Sequence, residues 1–82
     1  MGKTLGKFLQ EKREEIGVTQ TQLALKLGWK QATVSAIEVG RNGIRADHLS
    51  RWMLILNLSE ADKLRALRLA LDESEPQEAE AA

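Results

Sequence analysis

Few side chains here can do acid–base or nucleophilic chemistry. The 82-residue chain holds one histidine, His48, and neither cysteine nor tyrosine. Cysteine nucleophiles, cysteine-ligated zinc and disulfides are therefore excluded, and a single His near the start of a helix reads as a surface or capping residue. No paired carboxylates, metal-ligand cluster, Gly-rich phosphate loop or nucleophile–base set stands out in the sequence. No catalytic residue, metal or cofactor is expected, and the chain does not read as an enzyme. What remains is charge. The net charge is zero, but residues 1–58 hold nine basic and five acidic residues, a balance of +4, and residues 59–82 carry −4. A basic body suits a phosphate-bearing partner, because neutralising phosphates with Lys and Arg supplies most non-specific nucleic-acid affinity. The longest apolar run, Trp52–Leu56, is five residues, far short of the roughly 20 that span a bilayer. The N-terminus has no apolar signal segment, and Gly6 stands where a myristoylation pattern wants Ser or Thr. The expected location is cytoplasmic.

The elements that must position these charges are helices. Proline occurs once, and glycines fall mainly at joints between apolar-periodic segments. The first segment, about Thr4 to Ile16, places Leu5, Phe8, Leu9 and Ile16 at helical spacing, with Gly17 as a C-terminal stop. The second opens with Thr19-Gln20-Thr21-Gln22, a capping box, buries Leu23, Ala24 and Leu27, and stops at Gly28. The third runs from about Gln31 to Val39, with Val34 and Ile37 inward and Gly40 after it. The fourth, about Ala46 to Leu56, carries Leu49, Trp52, Met53 and Leu56 on one stripe; Trp52 on that stripe is a core residue. Ser59 caps a fifth that runs to about Leu71. No segment alternates with the two-residue period of a strand, so the fold class is all-α. The division is a helical domain over residues 1–72 and an acidic tail over residues 73–82. That tail lacks large apolar residues, reads as disordered, and serves as a solubilising end or as an acidic interaction segment.

Residues Gln20 to Val39 have the make-up of two short helices joined by a tight turn. A small residue, Ala24, stands where the second helix crosses the first, Gly28 tolerates the positive φ of the turn, and Val34 and Ile37 bury the second helix. Together with Phe8-Leu9-Gln10-Glu11-Lys12-Arg13, Gly17-Val18-Thr19-Gln20, Thr33-Val34-Ser35-Ala36-Ile37-Glu38-Val39-Gly40-Arg41 and the later Leu49, Trp52, Leu56 and Leu58-Ser59, this run resembles the Cro/CI-type, or XRE-type, helix-turn-helix family over about residues 4–59. The resemblance implies a compact five-helix, lambda-repressor-like domain whose third helix enters the major groove of double-stranded DNA. It also implies a transcriptional regulator, a repressor or autoregulator, that binds palindromic operators as a dimer.

The implied DNA-binding residues are Gln20, Lys30, Gln31, Ala32, Thr33, Ser35, Ala36, Arg41, Asn42 and Arg45. Gln20 matches a phosphate-contacting position at the start of helix 2. Lys30, Gln31 and Ala32 open the reading helix, with Ser35 and Ala36 one turn on along its exposed face. Gln31 is the best base reader, since its amide pairs with N7 and N6 of adenine; Ala32 and Ala36 offer only methyl contact. Thr33 meets a phosphate or packs on helix 2. Arg41, Asn42 and Arg45 match backbone-contacting loop positions. Lys30 replaces the usual Ser or Thr cap, at a cost of about 1 kcal/mol, and Trp29 replaces a small aliphatic, covering the turn in preference to a sugar-phosphate. Arg13 and Glu38 match a salt bridge between helices 1 and 3. Leu64, Leu67 and Leu71 form either a homodimer interface on helix 5 or the closure of the core. The alternative reading is a helical protein-interaction module, such as an antitoxin or adaptor, whose ligand is a protein partner such as a toxin or antirepressor.

Overall fold

The structure, a computed structural model, describes residues 3–73, with side chains from 5 to 72. Five helices follow one another: α1 (Lys3–Glu15), α2 (Gln20–Leu27), α3 (Gln31–Glu38), α4 (Ala46–Leu56) and α5 (Glu60–Glu73). α5 thus ends two residues past the expected limit, and residues 74–82 of the expected acidic tail lie outside the described residues.

The helix boundaries have local chemical causes. At α2, the Thr19 Oγ1 accepts from the Gln22 N–H at 3.0 Å and the Gln22 Oε1 accepts from the Thr19 N–H at 2.9 Å, completing the expected capping box. Gly28 ends α2 in the left-handed region at φ 78°, and the Trp29 N–H then closes onto the Ala24 carbonyl at 2.9 Å. The Ser59 Oγ accepts from the Asp62 N–H at 3.1 Å and starts α5. Asn57, at φ 56°, plays at α4 the part that glycine plays elsewhere.

The core forms where these helices meet, around Leu9, Leu23, Val34, Leu49, Trp52 and Leu56, all fully buried. Trp52 is a core residue, as its place on the α4 stripe predicts. Trp29 covers the turn, half-buried, its ring edge-on to His48 at 5.0 Å and to Trp52 at 6.1 Å. Ile16 departs from expectation. It is 51% exposed, because α1 stops at Glu15 and Gly17 (φ 73°) turns the chain away; Val18 packs on the core in its place.

α5 also differs from one of its two readings. Leu64, Leu67 and Leu71 do not close the core but are 66%, 43% and 70% exposed. The inward side is Ala66, fully buried, with Leu69 and Ala70 partly so. A small residue at the contact lets α5 lie close on α1, and this rotates the leucines outward. Lys12 of α1 pairs with Asp62 of α5 at 3.0 Å, and that hydrogen bond holds the Lys12 ammonium pKa above its ordinary value.

α1 and α3 pack so closely that only glycine fits at position 6. A Cβ there would stand 2.3 Å from the Ile37 carbonyl oxygen and 2.5 Å from that of Glu38. Both obstacles are backbone, which cannot rotate aside. Gly6→Ala is therefore expected to lose about 2–3 kcal/mol in urea denaturation despite its better helix propensity. A gain in stability would mean that the two helices are further apart.

Candidate nucleic-acid interface

α2 and α3 form a rigid pair. Ala24 is 2% exposed where the helices cross, and Val34 and Ile37 are buried against α2 and α1. The pair is held at its far end by Arg51 of α4, whose guanidinium donates to the Leu27 carbonyl at 3.2 Å. That bond satisfies one of the orphan carbonyls at the end of α2.

The first turn of α3 is presented outward: Lys30, Gln31, Ala32 and Thr33 are all exposed. Lys30 is the N-cap, extended at φ −86° and ψ 151°, and its side chain makes no cap hydrogen bond. The unpaired amides and the lysine together give this end a positive character suited to an anion. At the other end of α3, the Arg41 and Asn42 N–H groups close onto the Ala36 carbonyl at 2.9 and 3.2 Å. Their backbones are thereby fixed and their side chains exposed. Arg45 is exposed as well and pairs with Asp47 at 3.3 Å. Such a surface pair is worth little. Ser35 and Ala36, one turn further along α3, are half-buried.

Charge in this region has one sign on the outside. Residues 19–45 contain Lys26, Lys30, Arg41 and Arg45 against a single acid, Glu38. Glu38 is 3% exposed and is neutralised by Arg13, itself 6% exposed. The pair is bidentate: Arg13 Nε donates to Oε2 at 2.7 Å and the NH2 nitrogen to Oε1 at 2.9 Å, while the NH1 nitrogen donates to the Val18 carbonyl at 2.7 Å. Hydrogen bonding to Glu38 holds the Arg13 pKa above its already high ordinary value, although burial acts in the opposite direction.

The same carboxylate extends toward the surface. Gln20 Nε2 donates to Glu38 Oε1 at 2.8 Å, and Gln20 Oε1 accepts from Gln31 Nε2. The Gln20 side chain, expected on a phosphate, is thus engaged by two protein groups; its backbone N–H, at the first position of α2, has no partner within the helix. Gln31 is braced in place by this contact. Spacing alone gives no sign of the Gln20–Gln31 contact, because the residues are eleven apart on different helices.

A short two-helix unit inside a five-helix bundle, the first turn of its second helix exposed and flanked by cations, defines a helix-turn-helix protein. The helix-turn-helix family matches residues 9–63, and the chain belongs to that family, of the XRE type. Among curated proteins it is similar to the ImmF control region 10 kDa protein of Bacillus phage phi105, 39% identical over 57 residues. That alignment covers 70% of this chain and 63% of the phage protein, so less than two thirds of the relative is matched. No solved structure matches the chain.

Proposed function

We propose that the protein is a DNA-binding transcriptional regulator, a repressor or autoregulator without catalytic activity, that binds a palindromic operator as a homodimer through α3 in the major groove. The observation that carries this reading is the exposed first turn of α3, Lys30 to Thr33, braced by Gln20 and flanked by cations on a scaffold held by a buried ion pair. Membership of the helix-turn-helix family and the similarity to a phage control-region protein support it. Gln31 reads a base edge, Ala32 offers methyl contact to it, and Lys30, Thr33, Arg41, Asn42 and Arg45 hold phosphates. No described helix is long and apolar enough to cross a membrane.

The second copy sits on the outer face of α5. Leu64, Leu67 and Leu71 are exposed there, beside an apolar groove of about 270 Å³ lined by Ile44, Ala46, Leu49, Leu67, Ala70 and Leu71. The same surface favours the second reading, a helical module whose ligand is another protein, because exposed leucines grouped on one helix mark interaction sites.

Titration of mixed and specific duplexes across a salt series tests the proposal. Arg41→Ala is expected to weaken all sequences about equally and to lower the slope of log K against log salt by about 1, since one phosphate contact is lost. An unchanged slope would remove Arg41 from the interface.

A further inference from the structure

Gln20 lies between a buried carboxylate and a second amide, and chemistry dictates which way round it sits. Both oxygens of Glu38 already accept guanidinium N–H groups from Arg13, at 2.7 and 2.9 Å. The carboxylate has only acceptor capacity left, so the end of Gln20 that stands 2.8 Å from Oε1 is its NH2 group. The Gln20 carbonyl oxygen therefore faces Gln31 and accepts from its NH2. One of the two Gln31 N–H bonds is used there. A second N–H and Oε1 remain, side by side, as one donor and one acceptor.

We propose that Glu38 is a positioning residue for base recognition. By fixing the polarity of Gln20, and through it that of Gln31, the buried carboxylate makes the reading helix offer a donor–acceptor pair. That pair matches N7 and the N6 amino group of adenine. The inference rests on the reading that Gln31 meets a base edge. Its consequence is specific. Without an acceptor-only group at position 38, Gln20 is free to turn over and offer NH2 to Gln31. Gln31 then turns its own oxygen toward Gln20 and presents two N–H donors outward, which suits N7 and O6 of guanine. Glu38 thus serves two ends with one charge: it pairs with Arg13 inside the fold and sets the hydrogen-bond polarity of the surface.

The test uses the full 82-residue chain and duplexes recovered by it from a random pool, remade with adenine or guanine at the position Gln31 reads. The double replacement Arg13→Met with Glu38→Leu removes the charge pair while filling its volume. It is expected to lower the adenine-over-guanine preference by about tenfold at that position, with the preferences at other positions unchanged. A purely structural role for the pair would weaken all duplexes alike. Gln31→Ala is run beside it. If Gln31→Ala abolishes the preference and the double variant retains it within about twofold, Glu38 does not set the polarity and the inference falls while the base reading stands. If Gln31→Ala leaves the preference intact, the base reading fails and the inference with it. A wild-type measurement covers the case of a double variant that does not fold. Scalar coupling across the hydrogen bond from the Gln20 NH2 to the Glu38 carboxyl carbon is expected by NMR, and a reversed Gln20 amide overturns the proposal.

Discussion

Replacing Arg13 by Met alone, or Glu38 by Leu alone, is expected to cost about 3–5 kcal/mol, the penalty for leaving one buried charge without its partner. Both side chains are nearly inaccessible, at 6% and 3% exposure, and Arg13 also binds the Val18 carbonyl in the turn between α1 and α2. A chain of this length has a total stability of only about 4–12 kcal/mol. Either single variant is thus expected to lose a large share of the stability of the fold. Replacing both residues together leaves no orphaned charge and is expected to cost far less than the sum of the two single changes. Urea denaturation of the four proteins checks this. Single variants that lose under about 1 kcal/mol would mean that water reaches the pair.

The second large effect concerns recognition. Gln31→Ala removes the braced amide from an exposed position, so the fold should be unaffected to within about 0.5 kcal/mol. Discrimination at one base pair in each half-site should fall by about 1–3 kcal/mol. The contrast with Arg41→Ala carries the argument, because a phosphate contact weakens every sequence and a base contact weakens one. Binding of a single recovered duplex and its point variants measures both. Equal losses across all variants on removing Gln31 would assign it to the backbone instead.

The five helices were legible because their ends carry their own chemistry: Thr19 and Gln22, Gly28 and Ser59 act locally, within a turn of where they stand. The Arg13–Glu38 bridge was legible through the family resemblance. Tertiary geometry was less so. Gly6 reads as a weak helix residue until the α3 carbonyls are found against it. Arg51 reads as a surface charge, yet it caps a helix 24 residues away. Ile16 keeps the period of α1 but lies past its end, and periodicity does not say where a helix stops. On α5 the apolar spacing of Leu64, Leu67 and Leu71 was plain, but burial went to Ala66 and its neighbours. Apolar spacing shows that a face exists; which face meets the core depends on how closely two helices approach. Likewise, Ser35 and Ala36 sit on the reading helix by sequence, and their half-burial is visible only in the fold.

A dimer of this chain is proposed to read an inverted repeat through α3. Selection of bound duplexes from a random pool at near-physiological salt, followed by sequencing, tests this reading most directly. The expected result is an inverted repeat with half-site centres about 34–36 Å apart, one turn of the double helix. Recovery of no preferred sequence would contradict it and leave the helix-turn-helix as a scaffold for a protein partner on the leucine face of α5.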